Sequence, residues 1–344
     1  MPTLRSIARD LGLSPSTVSL ALNDSDAVSG ATRERVRKFA QEVGYRRRSR
    51  GRPSAVSQLS IACFHAGALK QPGTHRSLIA ENLAGIRREA RHLKLHLRTF
   101  DVGGLGARDV HERLEEALDD RRIDGMVLLA VEDADPFSQI SVRTDLPIIA
   151  LNRRPAFGEY GFVEHDNFGG AVQAAEEILR RGCTRPALVT TAPEAHFVRA
   201  RGEGFRRRIR LDPRTAAYHE EVVQEVDHPF RPEAYAAEDD ARLEKMLERG
   251  VDAIFGTNFF IGLRFASAAE RLGVEMPARL SVVAFDRAQV ATPGGRWVSS
   301  IGFDSAKLGR LAVRLIAGHL LDTEDPDIRL RSFSIRTRIR NRDT

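Results

Sequence analysis

The chain of 344 residues carries 53 Lys and Arg against 47 Asp and Glu, a net charge of +6, and 42% of it is apolar. That length calls for two or three domains, and the apolar content excludes a disordered polymer. No run approaches the roughly 20 apolar residues of a membrane span, and Met1-Pro2-Thr3-Leu4-Arg5 lacks the apolar stretch of a secretory leader. A cytoplasmic protein without membrane contact is therefore expected, with Cys63 and Cys183 as reduced thiols rather than a disulfide pair.

The charge is unevenly placed. Residues 1–58 hold 11 Lys and Arg against 5 Asp and Glu, which leaves 42 of each sign for the rest. A basic end on a neutral body is the electrostatic footprint of a nucleic-acid binder.

In chain order, Leu4, Ile7, Ala8 and Leu11 stand at i, i+3, i+4, i+7 spacing and predict a first helix with one apolar stripe. Gly12-Leu13-Ser14 breaks it. Ser14 can cap a second helix from Pro15 to about Leu22, because proline's missing N–H costs nothing at a first helical position. That helix turns Val18, Ala21 and Leu22 inward. A third helix starts after Ser29, runs through Val36, Phe39, Ala40 and Val43, and stops at Gly44. This pattern predicts a helix-turn-helix whose second helix enters the major groove.

Thr3-Leu4-Arg5-Ser6-Ile7-Ala8, Leu13-Ser14-Pro15-Ser16-Thr17-Val18-Ser19, Asn23, Val28-Ser29, Thr32-Arg33-Glu34-Arg35-Val36 and Gly44-Tyr45 together resemble the headpiece of the lac-repressor (LacI/GalR) family of bacterial regulators. The resemblance implies that Ser16 and Leu20 face base edges, with Pro15 beside them. It implies that Ser14, Thr17, Asn23, Ser29, Thr32 and Tyr45 meet phosphates. Leu20 and Pro15 depart from the family's usual reading set. Leucine offers only apolar contact, such as a thymine methyl, and one serine hydroxyl discriminates weakly, so direct readout is poor in hydrogen bonds.

The basic stretch Arg46-Arg47-Arg48-Ser49-Arg50-Gly51-Arg52-Pro53 follows. In the family this segment forms a hinge helix with a leucine wedge. Here that leucine is missing, and Gly51 and Pro53 cost about 1 and about 3 kcal/mol in a helix interior. Arg50-Gly51-Arg52-Pro53 resembles an AT-hook core, in which Arg50 and Arg52 enter a narrow A·T minor groove. A flexible linker whose arginines neutralise phosphates and a short helix starting at Pro53 are the other readings.

Beyond Leu59 the pattern alternates. Strands are predicted at Leu59–Phe64, Leu95–Phe100, Gly125–Ala130 and Pro147–Leu151, with helices at Leu78–Leu93 and Val110–Asp119. A second run covers Ala171–Arg181, Ala187–Thr191, Leu243–Gly250, Ala253–Gly256, Ile261–Leu272 and Ser281–Phe285. Strand–helix alternation predicts parallel sheets covered by helices, and two consecutive units suggest a bilobed core with a cleft at strand C-termini.

The family resemblance continues through Ile123-Asp124-Gly125-Met126-Val127, Asp166-Asn167, Arg201 with Gly204-Phe205, Asp252-Ala253-Ile254-Phe255, Asn258 and Leu280–Asp286. The core is similar to type I periplasmic sugar-binding proteins, which implies a small effector, a sugar or related metabolite, between the lobes. Carried over by position, the effector shell comprises Ala66, Asp166, Arg201, Phe230, Asn258 and Asp286. Arg201 supplies a planar fork for oxygens and Phe230 a ring for a sugar's C–H face. Helix caps or ion pairs are the alternative roles for the polar members. Phe259, where the family has Asp, and Phe303 add aromatic faces, which leaves open a larger or less polar sugar, a purine-like ring or no effector at all.

No enzyme is expected. Val102-Gly103-Gly104-Leu105-Gly106-Ala107 lacks the third glycine of a dinucleotide loop, and the ten histidines show no metal-type spacing, so neither cofactor nor metal is implied. The organisation read from sequence is an all-α headpiece at 1–45, a basic linker at 46–58 and an α/β bilobed core at 59–344. It describes a repressor that binds a pseudo-palindromic double-stranded DNA operator as a homodimer.

Overall fold

The computed structural model describes residues 4–14, 17–18, 21, 28–43, 59–65, 73–119, 123–129, 146–154, 160–191, 196–215, 217–223, 235–286, 291–321, 333–340 and 344. In the headpiece, helix α1 spans Leu4–Leu11 and α2 spans Gly30–Glu42, with residues 17, 18 and 21 helical between them. Gly12 takes φ +65° between α1 and this middle segment, a left-handed turn that glycine adopts without strain. Ile7, Ala8, Val18, Ala21, Val28, Val36 and Ala40 close a small apolar core, with Leu11, Leu13, Phe39 and Val43 at its edge. The predicted inward faces of the first and third helices are thus the packed ones. Leu22 lies outside the described residues.

The core contains two sheets of six strands each among the described residues. In the first lobe, β1 (Ser60–His65), β2 (His96–Asp101), β3 (Gly125–Leu129), β4 (Ile148–Leu151) and β5 (Gly161–His165) lie parallel in the order β5-β4-β3-β1-β2. Helix α3 (Gly73–His92) covers one face and α4 (Ala107–Asp119) belongs to the other. In the second lobe, α5 (Asn167–Arg180), β6 (Pro186–Thr190), α6 (His196–Arg210), β7 (His219–Val222), α7 (Ala236–Glu248), β8 (Ala253–Gly256), α8 (Phe259–Arg271), β9 (Ser281–Phe285) and β10 (Ser299–Gly302) build the order β10-β9-β8-β6-β7. β1, β3, β4, β6, β8, β9 and β10 are buried throughout, as parallel strands covered on both faces should be.

The lobes are not two consecutive units, which corrects the expectation from the strand–helix run. After β10 the chain returns to the first lobe. Helix α9 (Ser305–Leu321) packs Leu308, Ala312, Val313, Ile316 and Ala317 into the core of β1, β3 and β4. Strand β11 (Phe333–Ile335) then pairs with β5, and β12 (Arg338–Arg340) crosses back to pair antiparallel with β10. Helix α9 lies against α3 so closely that a Cβ on Gly85 would sit 2.0 Å from Ala306 O, and one on Gly309 2.2 Å from Asn82 O. Three crossings, at residues 165–167, 302–305 and 335–338, therefore join the lobes side by side.

Two of the motifs have structural duties. The carboxylate of Asp124 accepts the Ser60 N–H at 2.8 Å. Asp252 does the same for the Thr184 and Arg185 N–H groups, at 2.7 and 2.9 Å. Each aspartate precedes one strand and pins the start of its neighbour, so the two lobes repeat one device.

Candidate functional site

In the headpiece two helix starts are built alike. Ser14 Oγ accepts the Thr17 N–H at 3.0 Å and lies 2.7 Å from Thr17 Oγ1. Ser29 Oγ accepts the Thr32 N–H at 3.3 Å and lies 2.9 Å from Thr32 Oγ1. Both serines are exposed, so hydroxyls and positive helix ends face outward, the arrangement that receives phosphate. Arg33 Nη2 donates to Val28 O and Arg35 Nη2 to Leu11 O, which fastens α2 to the segments before it. Pro15, Ser16, Leu20, Asn23, Tyr45, Arg50 and Arg52, and the linker with them, lie outside the described residues.

At the strand ends of the second lobe, Arg201 on α6 is 5% exposed and makes a closed set of bonds. Its Nε donates to Asn167 Oδ1 at 2.9 Å, Nη1 to the Thr257 carbonyl at 2.8 Å, and Nη2 to Asp286 Oδ1 at 3.0 Å. Its Cζ lies 3.8 Å from the Phe285 ring centroid and 5.1 Å from that of Phe197. Burial lowers the affinity of this guanidinium for its proton, and Asp286 opposes that effect. Asp286 follows β9 at φ +73°, a left-handed conformation that aspartate tolerates and that collects at functional sites. Asp166 caps α5 by accepting the Gly169 N–H at 2.8 Å, and Asn258 caps α8 by accepting the Ile261 N–H at 2.9 Å.

The first lobe meets this set at β5. His165, its last residue, is 2% exposed and stacks on Phe303 with ring centroids 3.5 Å apart. Neither of its ring nitrogens has a hydrogen-bond partner among the described residues. Burial, reinforced by the charge of Arg201, pushes its pKa down to about 3, so the ring is neutral. One residue earlier, Glu164 receives Arg154 Nε at 3.0 Å and stands 2.9 Å from His196 Nε2. Burial raises the Glu164 carboxyl, but bonds from His196 and Arg154 outweigh it and hold the group below its usual range.

A family model for the periplasmic binding protein-like domain matches residues 175–344, and one for bacterial regulatory proteins, lacI family, matches residues 3–48. The HTH-type transcriptional regulator CelR of Thermobifida fusca is 26% identical over 96% of this chain and 95% of its own length. The ribose operon repressor of Escherichia coli (strain K12) is 23% identical over 92% of each. The chain belongs to the lacI family. Two solved structures share the fold: a CelR–cellobiose complex, at TM-score 0.62 and 22% identity over 100% of this chain and 99% of that one, and a lac repressor dimer bound to operator and anti-inducer, at 0.62 and 20% over 100% and 98%. This lacI-family protein is a DNA-binding transcription regulator.

Of the effector residues expected for the regulator, the structure brings Arg201 and Asp286 into direct contact, and Asn167 and Thr257 join them. Phe303 meets His165 instead of standing free. Phe259, at 1% exposure, lies in the apolar cluster with Met246, Ala266 and Val298. Ala66 and Phe230 lie outside the described residues. Sequence reasoning missed His165, Thr257, Phe285 and Phe197. Their only signal was position, immediately at or after buried strands or on the helix carrying Arg201.

Proposed function

We propose that this regulator is a repressor acting in the cytoplasm, which grips a pseudo-palindromic operator as a homodimer and changes its grip when a small neutral sugar enters between the lobes. One observation carries the reading: a capped helix-turn-helix stands on the same chain as a bilobed core whose strand ends hold the Arg201–Asp286 pair. Ser14, Thr17, Ser29 and Thr32 serve phosphates through hydroxyls and helix ends, together with Asn23 and Tyr45. Pro15, Ser16 and Leu20 face the bases, and Arg50 and Arg52 add minor-groove or phosphate contact.

In the cleft, Arg201 acts chiefly as the post that fixes Asp286. Each Asp286 oxygen keeps a second lone pair for a ligand hydroxyl. Asp166 and Asn258 have further acceptor capacity beyond their caps, and Phe303, Phe230 and Ala66 supply apolar surface. The relatives act as regulators, not enzymes, and no catalytic role is assigned to this cleft. The names of relatives that handle cellobiose and ribose support a sugar as the effector.

Selection of random double-stranded DNA on the full chain should return a palindrome occupied by two copies. Titrating cellobiose, maltose and D-ribose into that complex should change its affinity for at least one of them. Failure to enrich any palindrome would sink the operator reading. Indifference to all three sugars would sink the sugar reading.

A further inference from the structure

Glu164 is the penultimate residue of β5, and its side chain is 4% exposed. A carboxylate so far from water needs compensation, and the two sources come from different lobes. Oε1 takes both donors of Arg154, which follows β4 in the first lobe. Oε2 lies 2.9 Å from Nε2 of His196, the first residue of α6 in the second lobe. One oxygen is thus spent inside the lobe and the other across the divide. The side chain of His196 is 22% exposed, so the contact is largely, not wholly, withdrawn from solvent.

Among the described residues, other ion pairs with a buried carboxylate stay within one lobe. Arg264–Asp239 and Arg181–Glu177 belong to the second lobe, and Arg314–Glu89 to the first. The anion also stands beside the N-terminus of α6, where the helix dipole favours negative charge. Five residues further along, the same helix carries Arg201. Whatever holds the start of α6 against β5 therefore also sets where Arg201 and Asp286 lie relative to His165 and Phe303.

We propose that Glu164, with Arg154 and His196, forms an interlobe clasp that sets the degree of closure and so positions the Arg201–Asp286 pair for the effector. Opening the lobes strips Glu164 of His196 but admits water to both groups. The clasp thus biases an equilibrium instead of locking it. A ligand that bridges the lobes adds to the clasp, and a weaker clasp obliges the ligand to supply more of the closure. The consequence for operator release rests on the proposed repressor reading; the closure itself does not.

The test measures lobe separation directly, by pulsed electron–electron resonance on the full chain diluted with unlabelled copies. Spin labels go on Glu116→Cys of α4 and Glu244→Cys of α7, both exposed, in a Cys63→Ala, Cys183→Ala background. The parent should give one short distance. Glu164→Gln and His196→Ala should each raise the open population about tenfold, the effect of roughly 1.4 kcal/mol. His196→Lys places a donor within reach of Oε2 and should restore the short distance. His196→Ala leaves the Arg154–Glu164 pair intact, so it should fold even if the Glu164 variant does not. Parent-like distances in His196→Ala overturn the clasp, and so does a His196→Lys variant as open as His196→Ala. Operator binding is followed on the same samples. Fixed distances with normal operator binding remove the clasp alone, whereas shifted distances without any operator binding uphold the clasp and remove the repressor reading.

Discussion

At its strand ends the second lobe holds a satisfied polar network, in which Arg201 reaches Asn167, Thr257 and Asp286, all from its own elements. The first lobe ends β1 and β5 on His65 and His165. Nδ1 of His65 and both ring nitrogens of His165 have no partner among the described residues, while Glu164 turns to the other lobe for part of its compensation. One wall of the cleft is therefore assembled in advance, and the other is completed by what faces it. Buried polar atoms without partners cost about 1–3 kcal/mol each, and such exceptions mark sites whose purpose is not stability. The contrast predicts that mutations in the second lobe cut stability, whereas those at the end of β5 alter response.

The largest effect should come from Arg201→Ala. It leaves the Asp286 carboxylate, the Asn167 amide oxygen and the Thr257 carbonyl without their donor, so the loss should reach about 3–5 kcal/mol in urea unfolding. A loss below about 1 kcal/mol would mean that Arg201 is a ligand group and not a post, and the contrast between the lobes would collapse.

A smaller effect follows from His165. Its pKa falls from the ordinary 6.5 to about 3 in the folded chain. The unfolded chain thus takes up a proton below 6.5 that the native ring refuses. Stability present at neutral pH is lost as pH drops through that window, about 2 kcal/mol of it by about pH 5. Glu164 and Glu177, held below the usual carboxyl range after their bonds outweigh burial, add losses of the same sign at more acid pH. His165→Phe, compared with the parent from pH 8 to 4, should flatten the upper part of the curve and leave neutral stability equal or higher. Parallel curves would show that the ring finds a proton acceptor after all.

The smallest effect is that of Asn258→Ala. The side chain caps α8 through the Ile261 N–H, so thermal unfolding should register about 1 kcal/mol, the usual worth of such a cap. If stability holds but sugar response disappears, Asn258 serves the ligand more than the helix.

Much of this was legible from residue types. Of the predicted stripe on α1, Ile7, Ala8 and Leu11 form the inward face. Ser14 and Ser29 cap as polar residues before helical segments should. The apolar runs at 60–65, 125–129, 253–256 and 281–285 became fully buried strands. Other elements were hidden for identifiable reasons. β7 reads His-Glu-Glu-Val because it lies at a sheet edge with alternate residues exposed. α6 carries six arginines and two glycines, a poor helical signature. Yet Gly204 is required there, since a Cβ would come 2.3 Å from Phe168 O. β5 ends in Glu-His, whose burial depends on neighbours far along the chain.

What the sequence by itself determined is local: helix periodicity, caps, buried strands and the concentration of positive charge before residue 59. Each depends on residues within a turn or a strand of one another. The tertiary structure alone decided that α9 and β11 return to the first lobe, that Phe259 turns into the core, that Arg201 spends its donors on its own lobe, and that Glu164 joins Arg154 to His196. Those outcomes are set by desolvation and close packing between segments tens to hundreds of residues apart. A buried charge takes whatever donor the fold brings near it, and spacing along the chain carries no record of which donor that is.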